Sequence, residues 1–426
     1  MSNSKNEGTG PTGQYLATMG VVAVFLNYRL GPLGFMSTED DSMPGNFGMM
    51  DQLAALKWIQ TNIGAFGGDP ASVTIIGESA GSASISLLLL SPLAKGLFAR
   101  AVMESGVSIM PWSVSPPGLA VNPKDVAVLA GNELGCKQQP GPDFLACLQN
   151  VSVNQLVNAS LRAGSNDHTF GPFRPRVETT FGFLPEYPLR LLSRGEFNQV
   201  STIRGFNAQE LGARIQDTDN NGLTKAEFHT YARSALVNYP YLDKNVYIKL
   251  LEDVYLENIT DPFQIRSQAI DMMSDFMFIL PAVKETQLYR KSAQSFKSFL
   301  YNFNYKPSFT RSLAWKGVLH AQNKVFNFGL HPTNQFTVAD LKVSDAMMKM
   351  VSNFAKYDDP TPTGNTQQGL VNWQQFFNPR PSYLEIKENS QLKTFDTKKQ
   401  KAKMGVFEKT IEDYLKFVAN NVDIVG

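Results

Sequence analysis

The chain has 426 residues, 43% of them hydrophobic, enough to bury a large core as one α/β domain or as two smaller ones. Lysine plus arginine (39) nearly cancels aspartate plus glutamate (38), so the net charge of +1 offers no field to attract nucleic acid or an anionic membrane, and any substrate must be chosen by a pocket. No apolar run reaches the roughly eighteen residues of a membrane helix, and no Lys/Arg-led apolar segment opens the chain as a secretory signal would.

Residues 1–13 are polar and turn-rich and read as a loop. Val21 to Tyr28 is a continuous apolar, β-branched run that predicts a buried parallel strand. Asp51 to Ile63 places Leu53, Leu56, Trp58 and Ile59 at helical spacing. A β-branched run, Val73 to Ile76, predicts a second strand; a glycine-rich turn, an apolar helix reaching Leu90 and a strand over Arg100–Glu104 follow. From Pro111 to about Asn198 prolines interrupt the pattern, which suggests inserted helices and loops capping the functional edge of a sheet. Thr202–Asn207 and Phe296–Tyr305 read as further strands, separated by a helical insertion over about 211–295. Strands alternating with helices predict an α/β fold with a doubly wound, largely parallel sheet. No repeat or linker divides the chain, so residues 1–426 read as a single domain.

Asp217-Thr218-Asp219-Asn220-Asn221-Gly222 looks like the start of a calcium loop, but the twelfth position that must supply a bidentate glutamate is Phe228, with Glu227 one short. Thr224-Lys225-Ala226-Glu227 instead predicts a capping box that starts a helix. No metal or organic cofactor is implied.

The turn after Val73–Ile76 is Gly77-Glu78-Ser79-Ala80-Gly81, a Gly-x-Ser-x-Gly core between strand and helix. This resembles the nucleophile elbow of the α/β-hydrolases, in which a strained turn lifts a serine hydroxyl above the sheet. Gly77 and Gly81, lacking Cβ, are expected to let strand and helix pass close on either side. A serine hydroxyl needs a base within hydrogen-bond reach and a carboxylate to orient that base, in the chain order serine, acid, histidine. Of the four histidines, His168 precedes any acid candidate and His229 falls in the helix begun by the capping box. His320 follows the strand at 296–305 by a loop, with His331 in the same region; Glu210 lies just past the strand at 202–207. The N–H of Ala80, next after the nucleophile, is one expected oxyanion donor, and Glu78 is an expected pocket residue.

Asn27-Tyr28-Arg29-Leu30-Gly31, Gly45-Asn46-Phe47-Gly48, Asp51-Gln52, Ala65-Phe66-Gly67-Gly68-Asp69-Pro70, the elbow and Met103-Glu104-Ser105-Gly106 together closely resemble the carboxylesterase/cholinesterase family, and weaker matches continue to about Ile386. The resemblance implies a serine carboxylic ester hydrolase, acting through an acyl-enzyme on a small-molecule or lipid ester, with Ser79, Glu210 and His320 as its triad; Trp315–His320 resembles the family's catalytic-histidine segment and Gly205–Glu210 its glutamate segment. The chain departs from the pattern at two places. The family usually has glycine where this chain has Leu211, and commonly glycine and then an acid soon after the histidine, where this chain has Ala321, Gln322 and Asn323. Trp112 resembles an acyl-pocket tryptophan, a buried core aromatic being the other reading; the positions that narrow that pocket fall near Thr169 and Gly171.

Cys136 and Cys147 could be bridged or remain two thiols, and the resemblance favours a disulfide, as a short disulfide loop is found there in the family. Sequons at Asn150, Asn158 and Asn258 suit an exported, extracellular glycoprotein. The family's Gly-Gly oxyanion loop and the strand before it are not recognisable here, so the resemblance further implies a chain lacking N-terminal strands, the C-terminal part of a longer protein. A truncated, impaired esterase or a non-catalytic adhesion protein on the same fold are the alternatives.

Overall fold

The computed structural model describes residues 13–115, 122–164, 171–328, 336–362, 369–377 and 381–420. His168, Thr169 and His331 lie outside the described residues. Short helices α1 (Gln14–Thr18) and α2 (Gly31–Phe35) precede α3 (Phe47–Asn62), which buries Met49, Leu53, Leu56 and Ile59 as one stripe. Trp58 falls off that stripe, is half exposed and packs instead against Phe66 on the surface. The motif residues around α2 and α3 hold one another. Arg29 binds the Asp51 carboxylate through its backbone N–H, Nε and Nη2, and Gly34 and Gly48 leave room for the Arg29 carbonyl, which a Cβ would meet at 2.1 and 2.5 Å.

The sheet then forms in sequence order: β1 (Thr74–Glu78), α4 (Ala80–Leu90), β2 (Arg100–Glu104), helices α5 (Pro123–Glu133), α6 (Pro142–Gln149), α7 (Val153–Ala163) and α8 (Pro188–Arg194), and β3 (Ser201–Asn207). The second insertion supplies α9 (Lys225–Ala235), α10 (Lys244–Tyr255), α11 (Pro262–Ser274) and α12 (Leu280–Ser292), with a π-helical turn, Asp275–Ile279, joining the last two. After β4 (Ser298–Phe303) come α13 (Lys324–Asn327), α14 (Val338–Tyr357), β5 (Ser382–Ile386), β6 (Gln391–Thr394) and α15 (Lys398–Asn420).

Strand order is β1-β2-β3-β4-β5-β6, parallel throughout except for the β5–β6 pair. Helices cover both faces. Ala101 and Met103 of β2 pack with α3 and α4, whereas Val102 packs with Ile203, Phe299 and the α14 residues Val343, Met347 and Met350. The strand order never reverses among the described strands, so the sheet is two-sided and mostly parallel but not wound in two directions as expected. α4 is buried from Ser82 to Leu90, its three serines hydrogen-bonded, as befits a helix enclosed between sheet and insertions.

One predicted strand is absent. Residues 21–30 form no ladder with any described strand, and Val22, Val24, Phe25 and Leu26 are exposed by 38–50%. An extended run becomes a strand only through a neighbour's backbone groups, and here the sheet starts at β1. The capping box is present, with Thr224 accepting from the Glu227 N–H and Glu227 binding the Thr224 N–H. Asp217 serves the turn before it, accepting from Asn221 and Gly222 and pairing with Arg266. Cys136 and Cys147 form a disulfide, Cα atoms 5.7 Å apart, between the end of α5 and α6. Among the described residues no helix is long and apolar enough to cross a membrane, and no cluster of His, Cys, Asp and Glu is arranged to hold a metal ion.

Candidate active site

Ser79 sits between β1 and α4 with φ 56° and ψ −120°, a conformation that L-residues rarely adopt. Backbone bonds hold it there: its N–H donates to the Glu104 carbonyl at 2.8 Å, and its carbonyl accepts from Ala83 at 2.9 Å. The close passages fall on Gly77 and Gly106. A Cβ on Gly77 would lie 2.7 Å from the Gly81 carbonyl carbon, and one on Gly106 would lie 2.2 Å from the Ser79 carbonyl oxygen. Gly81, expected to share this role, faces open space. Its backbone, rather than its missing side chain, is what Gly77 makes room for. Ala80 opens α4, so its N–H has no acceptor within the helix.

His320 is brought to this turn from beyond β4. Its Nε2 lies 2.8 Å from Ser79 Oγ and its Nδ1 2.6 Å from Glu210 Oε2. The His320 N–H also donates to the Glu210 carbonyl, tying the two loops together. Glu210 is buried, and its other oxygen accepts from Ser105 Oγ and from the Asn207 N–H, both at 2.6 Å. Glu78, next to Ser79 in sequence, places Oε1 3.4 Å from His320 Nε2. Burial works to lower the His320 pKa, but Glu210, by charge and hydrogen bond, together with Glu78, leaves it above the ordinary imidazole value. Burial raises the Glu78 carboxyl in turn, and the repulsion of Glu210 adds to this.

The departures from the family pattern differ in cost. Leu211 has φ −108°, which any residue adopts, and its side chain is buried. Ala321 has φ 65°, where glycine is favoured. Asn323 is buried beneath His320, donating to Glu104 and Tyr301 and accepting from Asn207.

Trp112 is 8% exposed and donates from Nε1 to the Met277 carbonyl at 3.1 Å; its ring lies 5.4 Å from that of Phe278, which is 4.9 Å from the imidazole of His320. The π-helical turn therefore carries one wall of the site, and Trp112 stands behind Phe278. Sequence reasoning did not single out Phe278, since a π-helical turn leaves no periodic signal in so apolar a run. It also gave no role to Ser105, although Met103–Gly106 carried the resemblance. A cavity of about 410 Å³ opens elsewhere, lined by Asp275, Lys401, Lys403, Tyr383 and Phe395 among others, and neither Ser79, Glu210 nor His320 lines it. His229 stands apart in a half-exposed pair with Glu252 at 3.0 Å. Asn150, Asn158 and Asn258 are all exposed.

A hydroxyl bonded to an imidazole that rests on a buried carboxylate can be deprotonated as it attacks an acyl carbon. Comparison with known proteins shows the family to which the chain belongs. The model of the carboxylesterase family matches residues 1–405. Liver carboxylesterase of Sus scrofa is 34% identical over 385 residues, covering 87% of this chain and 65% of the relative. Carboxylesterase 1D of Mus musculus is 33% identical, covering 87% and 66%, and cocaine esterase of Homo sapiens 32% identical, covering 88% and 64%. The chain thus spans slightly less than two thirds of the length of these relatives. With the elbow, the mostly parallel sheet and a family match over nearly all its residues, this chain belongs to the carboxylesterase family.

Proposed function

We propose that the protein is a serine carboxylic ester hydrolase acting on small-molecule or lipid esters. Ser79 Oγ attacks the ester carbonyl carbon while His320 Nε2 takes its proton, and Glu210 orients the imidazole and offsets the imidazolium charge. The Ala80 N–H faces the developing oxyanion. Collapse of the tetrahedral intermediate breaks the bond to the leaving oxygen, which receives the proton from Nε2 and departs as the alcohol. Water then attacks the acyl-serine with His320 again as base, releasing the carboxylic acid and restoring Ser79.

The single observation that carries this reading is the position of one imidazole, at hydrogen-bond distance from both Ser79 Oγ and the buried Glu210 carboxylate. In the same reading, residues 1–426 form one α/β-hydrolase domain with insertions at about 111–198 and 211–295, and the disulfide and exposed Asn150, Asn158 and Asn258 fit an exported glycoprotein.

Hydrolysis of p-nitrophenyl butyrate by wild type, Ser79→Ala and His320→Ala proteins tests it. Each variant should lose about 10⁴-fold or more in kcat, and to a similar degree, because the residues act as a unit. The base must be neutral to act, and its pKa lies above the ordinary imidazole value. Wild-type kcat/KM should therefore fall on acidification at a pH above the usual imidazole range. Retention of most of the activity by Ser79→Ala would overturn the assignment.

A further inference from the structure

The third residue after His320 is Asn323, 1% exposed, with both ends of its amide engaged. Its Nδ2 donates to Glu104 Oε2 at 3.0 Å and to the Tyr301 hydroxyl at 3.2 Å, and its Oδ1 accepts from Asn207 Nδ2 at 3.1 Å. These partners stand at β2, β4 and β3, so one side chain fastens the histidine turn to three strands of the sheet. Two of them continue to the reacting groups: the Asn207 N–H donates to Glu210, and the Glu104 carbonyl accepts from the Ser79 N–H.

Charge is as unusual here as geometry. Glu104 is fully buried, bound by Asn323 and Asn327 side chains, and among the described residues it has no cationic partner. The titratable groups facing it are Glu78 from β1 and Tyr301 from β4. Those facing His320 are Glu210 from beyond β3, Glu78 from β1, and Lys324 from α13.

We propose that Asn323 is a positioning residue of the site: its amide clamps the His320 turn to the sheet and keeps the clamp point uncharged, so that the imidazole answers to two carboxylates and not to a third. Burial pushes the Glu104 carboxyl up to about 8, so this acid is largely neutral at pH 7 and fits the same scheme. An acid at position 323 would have the same shape, and with the Asn207 amide, the Tyr301 hydroxyl and the neutral Glu104 carboxyl all placed to donate to it, it would hold a negative charge at this clamp point, binding the imidazolium more firmly and moving the working range of the base upward.

The inference rests on reading His320 as the base, and its test can be made without turnover. The chain has four histidines, so ¹³C-histidine NMR on the full chain, with His320→Ala to assign the signal, gives the His320 midpoint directly. Asn323→Asp should raise that midpoint by about one pH unit and shift the acidic limb of kcat/KM on p-nitrophenyl butyrate with it. Glu104→Gln, which mimics the neutral acid, should leave the midpoint in place. An unmoved midpoint in Asn323→Asp, or an equal shift in Glu104→Gln, overturns the proposal. Should Asn323→Asp not fold, the double variant Glu104→Gln/Asn323→Asp keeps the added charge and gives it an amide donor. A raised midpoint there supports the proposal, and an unmoved midpoint or an unfolded chain overturns it. Wild-type protein without Ser79-dependent hydrolysis would sink the hydrolase reading and leave the NMR result to decide this one.

Discussion

At the scale of the residue, the site is built on backbone strain that side chains do not relieve. Ser79, Ser105 and Ala321 all have φ between 54° and 65°. Asn46, Asn220, Asn258 and Asp358 share that region, but Asn and Asp enter it more readily than Ser or Ala. For Ser79, the proposed nucleophile, the strained conformation presents the hydroxyl to His320, so its strain belongs to the proposed role. Ala321 presents nothing, yet its turn is held by Gln322 donating to the Leu319 carbonyl and Lys324 to the Ala321 carbonyl. Left-handed backbone costs an L-residue about 1–2 kcal/mol, and glycine's greater loss of freedom on folding costs about 0.5–1 kcal/mol. Ala321→Gly should therefore stabilise the protein by about 0.5–1 kcal/mol, read as a higher urea midpoint, with His320 still in place. A lower midpoint would show that the alanine methyl contributes packing that outweighs the strain.

At the scale of the element, the insertions are fastened from within as well as to the sheet. α5 and α6 are short, and the Cys136–Cys147 bridge closes the loop between them at a sequence separation of 11. Phe144 of α6 packs against Gly131 of α5, where a Cβ would lie 2.4 Å from its ring, so the loop is pinned by contact and by covalent bond. Closing a loop of this size stabilises a fold by about 2–3 kcal/mol. The Cys136→Ala/Cys147→Ala variant should lose that much in urea unfolding and keep the kcat of the proposed ester hydrolysis, as the bridge is not among the residues of the site. Unchanged unfolding would mean that the helix contacts alone hold the loop.

At the scale of the whole molecule, one buried ion pair joins sheet and second insertion. Arg204 of β3 and Glu285 of α12 are both fully buried, 3.2 Å apart. Arg204 also contacts Thr202 and the face of Tyr289, while Glu285 accepts from Ser86 of α4 and from the Ser108 N–H and hydroxyl. Four segments distant in sequence thus share one polar centre. Removing one partner of such a pair leaves the other charge buried and unpaired, at a cost of about 3–5 kcal/mol. Glu285→Ala should lower the unfolding free energy by about that much and Glu285→Gln by less, since its amide keeps part of the bonding. Equal, small losses for both would show that water reaches Arg204.

What the sequence determined by itself is local. The elbow, the strands at 100–104 and 202–207, the capping box at Thr224 and the candidate triad could be read from it, because turn chemistry, β-branched runs and helix caps act over a few residues. The strand expected over Val21–Tyr28 failed for the complementary reason: apolar pattern states a tendency, and pairing needs a neighbour. β5 and β6 were not foreseen, being short and, in β6, polar. Only the tertiary structure decided which side chains meet. Phe278 against His320, Asn323 between three strands, and Arg204 against Glu285 are contacts across 22 to 219 residues of sequence. Burial joined them: inside the molecule each polar group must find a partner or remain unsatisfied at a cost, and that partner comes from whichever segment the packing places beside it.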